Sequence, residues 1–193
     1  PSPSDLLLFP DNHDMDRIHT QTGEDRVLTQ MALACVLILP RIPQMYYGTE
    51  ILMENSAKPG DHGLIRTDFP GGWEGDSVDA FSGKGLRDDQ REMQDFSRAL
   101  LQFRKRSKAI HSGKTTHFAP KDGIYVLFRS MNEETVVMII NKNQEPITLD
   151  LDRYKEMNVQ GKTLTHVITG GDVSWKDKLE LNSWGVLILA TKK

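Results

Sequence analysis

The sequence predicts two successive fold classes, a parallel α/β segment and then an antiparallel all-β domain, on three observations. The apolar run Leu6-Leu7-Leu8 ends abruptly in the polar cluster Asp11-Asn12-His13-Asp14, the way a parallel barrel strand delivers catalytic side chains to its C-terminal mouth. A helical stretch and a β-permissive stretch follow at short spacing, and strand, helix, strand with a short turn makes a right-handed βαβ unit the default. From about His111 the hydrophobic spacing changes from a period of about 3.6 to a period of about 2.

The elements follow in chain order. Residues 6–9 are the first strand. Thr22 precedes Glu24 and Asp25, so a capping hydroxyl stands before two acids that complement the positive end of a helix dipole. The spacing of Leu28, Met31, Ala32, Cys35, Val36 and Leu39 predicts a helix over 24–39, and Leu37 and Ile38 broaden its stripe so that its end is buried on most sides. Pro40 and Pro43 stop it. Residues 44–47, Gln-Met-Tyr-Tyr, read as a second strand. Residues 53–87 hold many Gly, Asp and Pro residues and no sustained periodicity; a loop this long in a compact domain is functional or disordered. A second helix runs from Asp88-Asp89 to Lys105, with Met93, Phe96, Leu100 and Phe103 inward, acids at its start and Arg104, Lys105, Arg106 and Lys108 gathered at its end. Residues 124–128, 135–140, 147–151, 163–168 and 185–190 then read as strands, punctuated by turns at Asn132-Glu133-Glu134, Asn141-Lys142-Asn143 and Gly170-Gly171-Asp172. Short strands at that spacing indicate an antiparallel sandwich.

Composition excludes several classes of function. A net charge of -3 makes the basic run after Phe103 a solvated helix terminus and argues against a nucleic-acid partner. No stretch is long and apolar enough to span a membrane, so no membrane partner is expected. The single cysteine, Cys35, cannot form an intramolecular disulfide, and its place on the apolar stripe reads as a buried thiol.

Four positions of the opening cluster, Phe9, Asn12, His13 and Asp14, match the motif Phe-x-x-Asn-His-Asp, and the chain here resembles the α-amylase family of glycosidases (glycoside hydrolase family 13). Residues 42–51 look like the eighth strand of that family's barrel, with Arg41 standing where Gly is common. Asp68-Phe69-Pro70-Gly71-Gly72-Trp73 resembles the loop after that strand in the neopullulanase and cyclomaltodextrinase branch, especially in gut Bacteroidetes, and residues 181–189 are similar to the family's last strand. The resemblance implies that residues 1–110 are the last quarter of a TIM (β/α)8 barrel, strand seven to helix eight, and that residues 111–193 are a C-terminal β-sandwich.

It also implies a function: the C-terminal part of a retaining α-glucan hydrolase acting on α-1,4-glucosidic bonds of starch, pullulan or cyclodextrins. Retaining hydrolysis needs a nucleophile and a general acid about 5–5.5 Å apart. In the family those lie on strands four and five, so the chain alone is expected to be inactive. Asp14 is implied as the third catalytic carboxylate and His13 as a contact to the sugar at the cleavage point. Asn12 is a further substrate-binding candidate that also braces the strand end, and Trp73 is a sugar-stacking candidate. Arg17 is expected to pair with a neighbouring acid. No cofactor or metal is assigned; calcium, common in the family, has its usual ligands largely outside this segment. The implied partners are an α-glucan and the remainder of the catalytic barrel, with a homo-oligomer also possible; the implied location is periplasmic or otherwise extracytoplasmic in a bacterium, with a cytoplasmic one left open.

Two rival readings differ in class. His13, Asp14, Asp16 and His19 form a candidate ligand set for a hydrolytic metal, although successive side chains at a strand end point in different directions. A sugar-binding or interaction domain that has lost catalysis is the other, against which the intact Asn12-His13-Asp14 argues.

Overall fold

A computed structural model describes residues 5–192. Contacts divide them into two compact units: one takes in the chain through Val36 together with Arg41–Arg98, the other Leu37–Pro40 and the chain from Ala99 onward. No helix among the described residues is long and apolar enough to cross a membrane.

In the first unit, strand β1 (Leu7–Leu8) pairs in parallel with β2 (Ile42–Pro43), Leu7 opposite Ile42. The ladder is short: Ile42 N–H donates to the Leu6 carbonyl at 3.0 Å and Gln44 N–H to the Leu8 carbonyl at 2.9 Å. The second strand therefore lies just ahead of the expected 44–47, because the chain turns at Tyr47-Gly48 into a 3₁₀ turn, Thr49–Ile51. Gly48 has φ +86°, and a Cβ there would meet Met53 Sδ at 2.2 Å, so the turn requires glycine.

Between the strands run α1 (Ile18–Gln21) and α2 (Arg26–Ile38). The expected cap at Thr22 is replaced by Asp25, whose Oδ1 accepts from Val27 N–H (2.7 Å) and Leu28 N–H (3.0 Å). Thr22 instead bonds backward, its hydroxyl reaching the carbonyls of Ile18 and His19, while Glu24 takes a left-handed φ of 60° outside the helix. Cys35 is half-buried, less than expected, and burial pushes its thiol pKa up. Leu33, Ala34, Leu37 and Ile38 are the deeply buried positions of α2. Apolar residues fill so many of its positions that spacing does not select one face.

The long segment after Ile51 contains α3 (His62–Ile65) and is otherwise irregular, yet it is organised around Ile51, Ala80 and Leu86, with Met53, Phe69 and Val78 against them. Carboxylates fold it: Asp76 Oδ2 accepts from the N–H groups of Gly71 (3.1 Å) and Trp73 (3.2 Å), and Asp79 Oδ1 from Phe81 N–H (2.9 Å). Helix α4 (Asp88–Arg106) matches the expected span and buries Met93, Phe96, Leu100 and Phe103.

The second unit holds α5 (Lys108–Ser112) and eight strands: β3 (Lys114–Lys121), β4 (Ile124–Met131), β5 (Glu134–Asn141), β6 (Ile147–Asp150), β7 (Lys162–His166), β8 (Asp172–Trp175), β9 (Lys178–Leu181) and β10 (Gly185–Thr191). Six form an antiparallel sheet in the order β3-β4-β5-β10-β7-β8, and β6 pairs with β9 in a second, two-stranded sheet. One core joins them: Val126, Phe128, Val137, Ile139, Leu164 and Leu189 from the large sheet meet Leu149, Leu179 and Leu181 from the small one, around Tyr154 and Trp175. Alternation sends Leu127, Arg129, Val136 and Met138 to the opposite face, where α5 packs on β4 and β5. Three strands were not legible in sequence. β3 is an edge strand whose register breaks between Phe118 and Lys121, around Pro120. β8 and β9 have four residues each, and the first starts within an expected turn.

His166 ends β7, and its Nδ1 accepts from Ile168 N–H (3.1 Å) and Thr169 N–H (3.3 Å). Both bonds need the neutral ring, and burial lowers its pKa below the ordinary 6.5. Because the unfolded chain takes up this proton more readily, the stability it contributes is present above pH 6.5 and is lost as pH falls through the folded value. His166→Asn, whose Oδ1 can accept the same bonds, is expected to flatten the dependence of unfolding free energy on pH below about 6.5. Urea titrations from pH 7 to 5 on both proteins test this; equal slopes would exclude the role.

Candidate functional site

The residues that follow β1 build a compact polar turn. Asn12 Oδ1 accepts from Asp14 N–H at 2.8 Å, closing an Asx turn that fixes the backbone under the His13 and Asp14 side chains. His13 Nε2 lies 3.2 Å from Asp14 Oδ2, and both side chains are more than half exposed. The expected residues Asn12, His13 and Asp14 are thus brought together.

Beneath this turn lies a buried polar layer, of which sequence reasoning did not single out Asn55. Asp11 is fully buried; its Oδ2 accepts from Ile18 N–H at 2.8 Å at the start of α1. Burial raises its pKa, against the lowering effects of the Ile18 N–H, the Arg17 charge and the Thr49 hydroxyl. Arg17, also fully buried, was expected to pair with an acid. Its charge acts on Asp11, and it donates hydrogen bonds to two carbonyls, Nε to Ile65 at 3.0 Å and Nη1 to Tyr47 at 2.7 Å, with the guanidinium over the Tyr46 and Tyr47 rings. The planar fork suits carbonyls held by two separate segments, while its charge still acts on the neighbouring carboxylates of Asp11 and Glu50. Asn55 completes the layer: its Oδ1 accepts from Arg17 N–H (3.0 Å) and its Nδ2 donates to Asp16 Oδ1 (2.7 Å). Asp16 also accepts from Gly60 N–H, and these two bonds, the Gly60 one foremost, hold its pKa below the usual value. The turn after β1 is therefore tied to the long segment at several points.

From that segment, α3 reaches back over the turn. Asp61 caps it by accepting from Gly63 N–H (2.8 Å) and Leu64 N–H (3.3 Å). Arg66, just past its end, donates through Nε to the His13 carbonyl at 3.0 Å and through Nη2 to Asp14 Oδ1 at 2.9 Å. His62 Nδ1 receives an Arg66 hydrogen bond at 2.7 Å and stands 4.0 Å from Asp14 Oδ1. Arg66 and His62 escaped the sequence reading; the only local signal was an Asp-capped single turn in an aperiodic stretch.

Trp73 stands elsewhere on the same segment, 72% exposed, with its backbone held by Asp76. Phe69 does the anchoring: it is half-buried, 5.1 Å from the Phe81 ring, and packs on the Ile51 cluster. The candidate metal set does not converge. His19 is buried against the Thr29 hydroxyl at 3.0 Å and Asp16 faces Asn55 and Gly60, whereas His13 and Asp14 face each other. Among the described residues no group of three or more His, Cys, Asp or Glu side chains is placed to hold a metal ion.

Comparison with known proteins locates this architecture. Residues 115–190, β3 through β10, match the family model described as the cyclo-malto-dextrinase C-terminal domain. Cyclomaltodextrin glucanotransferase of Paenibacillus macerans is 28% identical over 140 residues, covering 72% of this chain and 17% of the relative. An α-amylase of Niallia circulans is 29% identical over 142 residues, covering 74% and 23%. Over most of its length the chain is similar to proteins of the α-amylase family. A solved structure of α-amylase from Geobacillus thermoleovorans, complexed with acarbose, superposes with a TM-score of 0.70 at 24% identity over 99% of this chain and 40% of that one, a likeness of fold. The chain thus spans less than a quarter of the length of these curated relatives, and it matches the C-terminal parts of the solved amylase structures.

Proposed function

We propose that this chain supplies the C-terminal part of a retaining α-glucan hydrolase of the neopullulanase and cyclomaltodextrinase type, acting on α-1,4-glucosidic bonds. Residues 1–110 complete its catalytic (β/α)8 barrel and residues 111–193 form the β domain that follows. The observation that carries the reading is the turn at the end of β1. A carboxylate, Asp14, is presented at the C-terminal end of a strand in a parallel pair, beside an imidazole and held by a loop that follows the next strand. In the reaction Asp14 bonds sugar hydroxyls and stabilises the positive charge that develops on the ring, while His13 donates to a hydroxyl of the same sugar. Exposed Trp73 offers a stacking face to a glucose ring.

The open flanks of the β1–β2 pair support the barrel assignment. Leu7 is 58% and Ile42 49% exposed, with Leu6 and Phe9 also open, although such residues at a parallel strand pair belong under neighbouring elements. The remaining barrel strands are the proposed partner that covers them, and the proposed location is the periplasm.

The glycosidase containing this chain should release reducing sugar from starch, pullulan or cyclodextrin with retention at the anomeric carbon, whereas the chain alone should release none, because the nucleophile and general acid both lie outside it. NMR of the first product anomer and a reducing-sugar assay on both proteins test this. Turnover by the chain alone, or an inverted product, would overturn the proposal.

A further inference from the structure

We propose that Arg66 is the positioning residue of Asp14, an inference that rests on the reading of Asp14 as a catalytic carboxylate. The geometry is a two-point clamp. Nε of Arg66 donates to the His13 carbonyl at 3.0 Å, and Nη2 of the same rigid plane donates to Asp14 Oδ1 at 2.9 Å. One arm holds the backbone of the turn and the other holds the carboxylate, so the guanidinium fixes the rotation of the Asp14 side chain relative to the strand end that carries it. The other oxygen, Oδ2, is left to His13 Nε2 at 3.2 Å. A lysine has one donor centre and cannot span both acceptors with fixed geometry.

Arg66 is itself held from below. Its neighbour Ile65 is buried, and the Ile65 carbonyl accepts from Nε of the buried Arg17 at 3.0 Å. Arg17 in turn grips the Tyr47 carbonyl and takes its own N–H to Asn55. A line of contacts therefore runs from the buried layer through α3 to the reacting turn, and the Asx turn at Asn12 closes it from the other side. His62 orients the same Arg66 nitrogen from within α3 at 2.7 Å.

The clamp contributes little to folding. Arg66 and Asp14 side chains are 47% and 59% exposed, and an ion pair so open to water adds little to the stability of a fold. Its consequence is geometric: misplacing a catalytic group by about an ångström costs up to about a hundredfold in rate. Removal of Arg66 should thus slow turnover while the protein stays folded.

The test compares Arg66→Gln, Arg66→Lys and Asp14→Asn in the glycosidase containing this chain, with a maltooligosaccharide substrate. Arg66→Gln is expected to lower kcat by about ten- to a hundredfold while KM moves less than about threefold and Tm holds. Arg66→Lys should recover part of the loss through its charge. Wild-type kcat in Arg66→Gln, a loss confined to KM, or a loss that follows a fall in Tm would overturn the clamp. If Asp14→Asn is inactive while Arg66→Gln is fully active, the clamp alone fails. If Asp14→Asn is fully active, the reading of Asp14 fails and the clamp with it.

Discussion

Asp14→Asn in the glycosidase containing this chain is expected to lower kcat by about a thousandfold or more, with a much smaller change in KM. The substitution separates charge from position. Asparagine has the same shape, and its Oδ1 can still accept from Arg66 Nη2, which reaches Asp14 Oδ1 at 2.9 Å in the native protein. The Asx turn also survives, because it uses the backbone N–H of residue 14 and the side chain of Asn12. What is lost is the negative charge facing a transition state whose sugar ring becomes positive, and removing one well-placed electrostatic stabiliser costs about a hundred- to a thousandfold or more. Ground-state binding loses only part of its hydrogen bonding, which is why KM should move little. His13→Ala should cost less, since a hydrogen bond to a neutral hydroxyl contributes about 1 kcal/mol net. Steady-state kinetics on both variants test the ordering. Asp14→Asn retaining more than about a tenth of wild-type kcat would remove the residue from this role.

How much of this could be read from residues alone differs between the turn and its support. Asn12, His13 and Asp14 are adjacent in sequence, so a run of apolar residues ending in an amide, an imidazole and a carboxylate marks the site without tertiary information. Arg66 and Asn55 are far away in sequence, and hydrophobic period is blind to a segment that carboxylates such as Asp76 and Asp79 fold through backbone N–H groups. Arg17 shows the same gap from the other side: an acid near it, Asp11, could be expected from its neighbours, but the two carbonyls it donates to come from distant segments. The long α4 was legible because one face is apolar and the other charged, and its ends carry the charges its dipole favours. The edge strand β3 was not, since Pro120 and a register shift break the alternation that reveals β4 and β5.

Residues 88–193 are expected to unfold at higher urea than residues 111–193, by about 3 kcal/mol or more in stability. The shorter fragment keeps every strand of the six- and two-stranded sheets, so a reading from strand pattern alone makes the two equivalent. The structure distinguishes them, because the large sheet is covered on both faces. Its second face packs against α5, whose Ala109 and Ile110 are buried, and cutting at 111 removes both. Losing the burial of an isoleucine side chain costs about 2 kcal/mol. The cut also strands Arg129, which is buried on β4 and donates to the carbonyls of Ala109 (3.3 Å) and Ile110 (2.8 Å). Only its bond to the Thr115 hydroxyl at 2.6 Å survives. A buried donor left without an acceptor costs about 1–3 kcal/mol, and more when it is charged. Glu134 loses its role as well: its Oε2 accepts from Lys108 N–H and Ala109 N–H at the start of α5, alongside the Ser107 cap on Ile110. Arg129→Met in residues 111–193 should then raise stability, because a flexible apolar side chain needs no acceptor, whereas in residues 88–193 it should lower it by freeing two carbonyls. Equal urea midpoints for the two fragments, or the same sign of Arg129→Met in both, would show that α5 is not part of the unit that folds around the sheet.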